Sequence, residues 1–471
     1  MNAHSTSMRA SLATKLIEHF LGALIVVCVF PSVASTQVMP ASTWELRTPS
    51  VRPSARASHS MAFFDAMGAV VLYGGVSPTE GLLWVWNGVD WSARDSSRAP
   101  FGRVSPNTPR ARSWAGVASD RLRGRLVLFG GSVGPELDET WEHDGSQWEQ
   151  KFPQQRPEAR TLFAMAYDPI RRRTVVFGGL GRGGFTNPLY DTWTWDGTTW
   201  TQMPAYGPSP RTHPNMAWDQ SIGHLVLFGG VGGNLQALND TWTWNGTAWL
   251  TVYPPVSPSP RSLHAMAWHE GRRRVVLFAG RGAFNQMLGD TWEFNGGSGT
   301  WEQVSPLQSA PSNWFPEMAY DRLRSRVVLF GGNGGTGDET WTYLDRTLYA
   351  APARPLPGQT VTLFLDSPAD PGRAYVLACS FARAPGLPVF PDGRVVSLAP
   401  DPLFWWSLGS QTGPFLGFLG TLDGLGRAQA SIQLPPDPAL IGLRWFVSGV
   451  TFDPASPRTI LNEVELAVVA P

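Results

Sequence analysis

Thr174-Val175-Val176-Phe177-Gly178-Gly179, followed by Asp191-Thr192-Trp193-Thr194-Trp195-Asp196-Gly197-Thr198-Thr199-Trp200, is the stretch that decides the fold. An apolar, β-branched run ends in a glycine pair, and a second run alternates threonine and tryptophan. Both compositions suit a pleated, half-buried strand. Asp196-Gly197 then turns the chain, because both residues tolerate the positive φ of a tight hairpin. Upstream, Phe163-Ala164-Met165-Ala166-Tyr167-Asp168 gives one more apolar segment, and downstream Trp200 opens another. The unit therefore reads as four antiparallel strands in about fifty residues.

Working outward, the same unit recurs. Glycine pairs follow apolar runs at Gly74-Gly75, Gly130-Gly131, Gly178-Gly179, Gly229-Gly230 and Gly331-Gly332, with Ala279-Gly280 in the remaining place. Successive pairs lie 56, 48, 51, 50 and 52 residues apart. Turn dipeptides between third and fourth strands are Asn87-Gly88, Asp144-Gly145, Asp196-Gly197, Asn245-Gly246 and Asn295-Gly296. Tryptophans mark the third strands (84, 141, 193, 242, 292, 341) and the fourth strands (91, 148, 200, 249, 301). They recur whatever the loops do, which assigns them to packing between neighbouring units rather than to a ligand platform.

A glycine pair, an aromatic third strand and a fourth-strand tryptophan together resemble the kelch repeat, over about residues 43–346. Segments such as Arg272-Arg273-Arg274-Val275-Val276-Leu277-Phe278 and Asp240-Thr241-Trp242-Thr243-Trp244-Asn245-Gly246 look like those of secreted bacterial kelch proteins. The resemblance implies a six-bladed β-propeller with a central channel. The sixth unit lacks its own fourth-strand tryptophan. Ser42-Thr43-Trp44-Glu45-Leu46 matches Gly299-Thr300-Trp301-Glu302-Gln303 and supplies the missing strand, closing the ring and removing two sheet edges.

Residues 1–34 read as a signal peptide. Arg9 and Lys15 precede an apolar run from Phe20 to Phe30, and Pro31-Ser32-Val33-Ala34 offers a cleavage site after Ala34. That run is shorter than the roughly 20 residues needed to span a bilayer, so the mature chain is expected to be secreted, extracellular or periplasmic, with no membrane span. Cys28 leaves with the signal, and Cys379 in an apolar strand reads as a buried structural thiol. Formal net charge is zero and no basic block stands out, which argues against nucleic acid as a partner. A monomer is expected.

Residues 347–471 carry no repeat. Residues 359–365 and 428–434 alternate apolar and polar side chains, and Pro/Gly clusters separate further strands, so this part is expected to be a smaller β-sandwich. Trp405-Trp406 is a candidate carbohydrate platform; on a sandwich strand the two rings point to opposite faces.

The kelch resemblance brings one chemistry to test, that of copper radical oxidases related to galactose oxidase, which joins a cysteine to a tyrosine. The propeller has no cysteine, which all but excludes that chemistry, though not copper binding as such. No phosphate loop, HExxH or CxxC occurs, and no cofactor is expected. His59, His213 and His264 lie at first strands, with His59 and His264 equivalent and His213 offset by one; scattered polar positions explain them better than a metal site. The leading expectation is thus a non-catalytic binding or scaffolding protein for an extracellular glycan or protein. The alternative is a carbohydrate-active enzyme of isomerase or lyase type in the channel mouth, which perturbed ionisable groups there would favour.

Two further expectations concern the loop face. Arg56, Arg112, Arg160, Arg211 and Arg261 precede first strands, with Asn313 in the sixth place; Glu139, Asp191, Asp240, Asp290 and Glu339 open third strands, with Leu82 in the first. Ion pairs within blades 2–5 are expected, leaving Arg56 and Glu339 on blades that closure makes neighbours. The ligand site is expected on the second-to-third-strand loops of blades 3–5, the longest of the set. Residues 180–190 contribute Arg182, Phe185 and Tyr190; residues 231–239 contribute Asn234 and Gln236; residues 281–289 contribute Arg281, Phe284, Asn285 and Gln286.

Overall fold

β-branched runs flanked by tight-turn residues give each repeat its sheet, and a computed structural model shows how the six sheets assemble. It describes residues 42–470 apart from 77–82, 95–106, 183–186, 205, 334–336, 346–347, 352–353, 368–371, 382, 389–394, 401, 410–413, 425 and 454–455. The expected signal peptide and Phe185 lie outside the described residues.

Blade 3 is typical: Ala164–Asp168, Arg173–Gly179, Leu189–Trp195 and Trp200–Gln202 pair antiparallel in sequence order. Blades 1, 2, 4 and 5 repeat this order, and blade 4 adds the short strand Arg211–Thr212. Blade 6 takes three strands from Glu317–Asp321, Arg326–Phe330 and Thr340–Asp345. Its fourth is Ser42–Arg47, paired antiparallel so that Trp44 faces Tyr343. First strands contact first strands around the ring, and that of blade 6 contacts His59–Phe64 of blade 1. These strands are therefore innermost, and the chain is a closed six-bladed β-propeller.

The second strands are the most buried parts of the ring. Val175, Val176 and Phe177 are fully buried, as are their counterparts in the other blades. Tryptophans fill the gaps between blades, as their recurrence predicts. Five of the six fourth-strand indoles, all but Trp148, reach back one blade to a buried threonine just before the third-strand aromatic residue. Trp200 donates to Thr140 at 2.9 Å, Trp249 to Thr192 at 2.9 Å, Trp301 to Thr241 at 2.9 Å, Trp44 to Thr291 at 3.0 Å and Trp91 to Thr340 at 2.8 Å. The last two bonds span the closure.

The glycine pairs have a backbone reason. The first member has φ of 61–74° in five blades, and Ala279 adopts 65° in the sixth. At Gly331 a Cβ would lie 2.6 Å from the Arg56 carbonyl of the next blade, a distance no side chain tolerates. The third-to-fourth-strand hairpins differ from simple two-residue turns. Asn87, Asp144, Asp196 and Asn245 accept backbone N–H groups two and three residues on, which makes a side-chain-capped turn. In blade 5 the turn is wider: Asn295 pairs with Thr300, and the positive φ falls at Gly299, not at Gly296.

The C-terminal part is a two-sheet sandwich. Leu348–Ala351, Thr360–Asp366, Arg427–Gln433 and Phe415–Leu416 form one sheet; Leu419–Thr421, Ala374–Ser380, Arg444–Asp453 and Ser456–Ala467 form the other. Val361, Leu363 and Leu365 pack with Leu377, Cys379, Trp445 and Val447 in the shared core. The expectation of a strand at Trp405-Trp406 is corrected: both lie in the helix Pro402–Gly409. Adjacent residues on a helix diverge by about 100° rather than alternating across a sheet. Phe404 is buried there and Trp405 is 43% exposed. Among the described residues no helix is long and apolar enough to cross a membrane.

Candidate functional site

The loop face is rooted by a repeated charged triad. In blades 2–5 a buried arginine before the first strand meets the acid that opens the third strand: Arg112–Glu139 at 2.6 Å, Arg160–Asp191 at 2.7 Å, Arg211–Asp240 at 2.6 Å and Arg261–Asp290 at 2.7 Å. Each guanidinium also donates to the carbonyl of the residue eighteen positions on, the first of the glycine-pair positions. The same carboxylate accepts the indole N–H of the third-strand tryptophan two residues later: Trp141, Trp193, Trp242 and Trp292. Burial alone would raise the pKa values of these four acids. The arginine's hydrogen bond and charge, with the indole, outweigh it and hold them below the usual carboxylate range. These four arginines are structural, each paired within its own blade.

The two leftovers do not form a fifth such pair. Arg56 donates to Ser54 and to the Gly74 carbonyl, while Glu339 accepts Trp341 at 2.9 Å. Backbone bonds carry the closure instead, Gly332 N–H to the Arg56 carbonyl and Arg56 N–H to the Gly337 carbonyl.

On these roots stand the segments expected to bind. In blades 4 and 5 they are strand extensions rather than open loops. His224–Gly232 pairs with Ala237–Trp244, and Arg274–Arg281 with Met287–Asn295, past a register shift at the glycine pair. Their tips expose Leu235 at 58%, and Phe284, which is fully exposed. Both hold positive φ, Leu235 at 62° and Phe284 at 53°, where a side chain costs about 1–2 kcal/mol. Blade 3 presents Tyr190, 52% exposed, and Arg182, eight residues earlier, is exposed as well. Some of the expected polar groups are already engaged. The Asn234 amide oxygen accepts the Gln236 N–H, and Asn285 accepts the Arg281 guanidinium, which stacks 5.5 Å over Trp314. Gln236 and Gln286 are exposed at the tips. Sequence reasoning missed Leu235, Met287 and Trp314; single apolar residues in variable loops carry no periodicity to reveal them.

Around the axis five of the six inner strands end in an acid or a histidine, Asp120, Asp168, Asp219, His269 and Asp321. His59 and His264 sit edge-on to Phe330 and Phe228 of the preceding blade, where Phe163 meets Phe129. They fill an aromatic packing position, and burial lowers the pKa of each to about 3, so both are neutral. His213 occupies the position before, at φ 54°, shared with Ser58, Trp114, Leu162, Leu263 and Phe315, all of positive φ. That is the physical basis of its offset. Burial, and secondly Arg281, lowers it to about 3 as well. Among the described residues no group of three potential ligands could hold a metal ion. One inner residue went unnoticed in the sequence. Glu317 stands where the other blades carry Ser60, Gly116, Ala164, Asn215 and Ala265, and burial pushes its carboxyl up to about 8.

No protein-family model matches the chain. No curated protein matches it either. Among solved structures it is similar to one described as "Structure of YjhT", at 12% identity and a TM-score of 0.47, over 67% of this chain and 97% of that one.

Proposed function

We propose that this chain is a secreted kelch-type propeller that binds an extracellular glycan or protein through the hairpin tips of blades 3–5, without catalysing a reaction. The supporting observation is that Tyr190, Leu235 and Phe284 stand exposed on the second-to-third-strand segments of three consecutive blades. Backbone strain at two of those tips is what a surface selected for contact retains at a cost in stability. Amide and guanidinium groups beside exposed rings suit a ligand with both polar and apolar faces. The leader sequence supports export. The test starts by finding a ligand with purified mature protein on a glycan array. Affinity is then measured for Tyr190→Ala and Phe284→Ala, with Trp405→Ala as control in the other domain. Losses of tenfold or more in the propeller variants alone are expected; unchanged affinity in both moves the site off these tips.

A carbohydrate-active enzyme is the second reading, and Glu317 is the observation that favours it. A carboxyl on an innermost strand with a pKa of about 8 is protonated at neutral pH and fit to act as a general acid. Turnover of array-positive sugars that disappears in Glu317→Gln, with binding retained, would establish this reading over the first.

A further inference from the structure

Where blades meet, the acid that ends a first strand approaches the glycine of the next third-to-fourth-strand turn, usually through an arginine. Asp120, Asp168 and Asp321 each accept, at the second carboxylate oxygen, the arginine three residues on: Arg123 at 2.7 Å, Arg171 at 3.2 Å and Arg324 at 2.9 Å. Those arginines lie against Gly197, Gly246 and Gly88 of the next blade. Blade 4 carries Ile222 in the arginine's place. Asp219 accepts the Ser221 N–H at 2.8 Å and hydroxyl at 2.5 Å on Oδ1, while its buried Oδ2 has no hydrogen-bond partner among the described residues. A Cβ at Gly296 would collide first with that bare oxygen, so the carboxylate lies directly against the Gly296 backbone. Burial also raises the Asp219 carboxyl above its ordinary pKa, which makes its anion a stronger base.

Gly296 follows an asparagine. Asn-Gly pairs close the third-to-fourth-strand turns of blades 1, 4 and 5. Asn87 and Asn245 are clamped, each side-chain oxygen accepting two backbone N–H groups. Asn295, in the wider turn, accepts only the Gly297 N–H, at 3.1 Å. We propose that Asn295-Gly296 is a self-modification site, at which the folded chain converts its own asparagine to aspartate and isoaspartate with Asp219 as general base. The Gly296 nitrogen, unhindered because glycine has no Cβ, attacks Asn295 Cγ. Its proton passes to Asp219 Oδ2 and then to the side-chain amide nitrogen, as the Cγ–N bond breaks and ammonia leaves. Water opens the resulting cyclic imide at either carbonyl, so one water is consumed and one ammonia released. The aspartate product is the residue that blades 2 and 3 carry in this turn, Asp144 and Asp196. Isoaspartate adds a methylene to the main chain. The turn lies at the other end of the strands from the blade 3–5 tips, so the proposal stands or falls separately from binding there.

The test incubates purified mature full-length protein at neutral pH and maps its peptides by mass spectrometry. Heavy-oxygen water marks each converted residue, and isoaspartyl methyltransferase counts the isoaspartate. Asn295 is expected to convert at least ~10-fold faster than Asn87 and Asn245, a floor beneath the roughly 100-fold or more that an aligned general base gives. Asp219→Asn, nearly isosteric and able to keep the Ser221 bonds, is expected to bring Asn295 down to the rate of the other two. In urea the three pairs are expected to convert at similar rates, because only the fold sets Asp219 against Gly296. Asn295 converting no faster than Asn87 and Asn245 in the folded wild-type protein overturns the proposal. So does an unchanged Asn295 rate in folded Asp219→Asn, or a preference for Asn295 that persists undiminished in urea, a comparison that stands even if Asp219→Asn fails to fold.

Discussion

Trp148 breaks the pattern of indole-to-threonine bonds, and the reason is one residue. The threonine just before each third-strand aromatic residue is replaced in blade 1 by Leu83, which packs in one cluster with Trp148. Trp148 is 4% exposed, and its indole nitrogen has no hydrogen-bond partner. Threonine and valine are nearly isosteric, so exchanging them at equivalent places isolates the bond. At blade 2, Thr140→Val orphans the Trp200 indole. An unsatisfied buried donor costs about 1–3 kcal/mol, and the added methyl recovers up to ~0.8 kcal/mol, giving a net loss of about 1–2 kcal/mol. At blade 1, Leu83→Val and Leu83→Thr both remove volume from a fully buried site, a shared cost of roughly 1–1.5 kcal/mol. Only the threonine supplies Trp148 with an acceptor. Leu83→Thr is therefore expected to be more stable than Leu83→Val by about 1 kcal/mol. In a buried place without a waiting donor the order reverses, because an unpaired hydroxyl costs about 1–3 kcal/mol. Urea unfolding followed by tryptophan fluorescence resolves the two cases: with m of roughly 1–3 kcal/mol per molar, a 1 kcal/mol difference moves the midpoint by ~0.3–1 M. A Leu83→Val protein that outlasts Leu83→Thr at unchanged m refutes the reasoning.

Three further outcomes are expected. Asp191→Ala leaves the fully buried Arg160 guanidinium without its carboxylate and costs about 3–5 kcal/mol, measured by the same unfolding curves; a loss below 1 kcal/mol shows the triad to be ornamental. His264→Phe puts the blade 3 residue into an equivalent place, removes an imidazole with both nitrogens unpartnered, and raises the thermal midpoint. Because the folded pKa of His264 lies near 3, below the unfolded value, its neutral form is held by the fold: stability is full above pH 6.5 and falls by up to ~1.4 kcal/mol per pH unit below it. His264→Phe should flatten that acid limb, and an unchanged slope counts against the burial argument. Trp44→Ala removes a fully buried indole and its bond to Thr291, costs about 3–5 kcal/mol, and exposes an edge detectable as concentration-dependent association in sedimentation.

Much of this molecule was legible in the chain alone because its information is local and repeated. Strand-forming runs, glycine pairs and turn dipeptides each dictate backbone over a few residues, and six copies at one period leave a ring of blades as the way to bury all the tryptophans. The match of Trp44 to Trp301 gave the register of the closing strand, and the aligned arginines and acids gave the four pairs. What the tertiary structure alone decided depends on side chains meeting from distant segments. The helix at Trp405 was hidden because a short apolar run has no period to separate it from a strand. The places of Glu317 and Trp314 arise where blades meet, and the orphaned indole of Trp148 exists only because the ring sets it against Leu83. Sequence spacing fixes neighbours along a strand, whereas contacts between blades are set by how the ring closes.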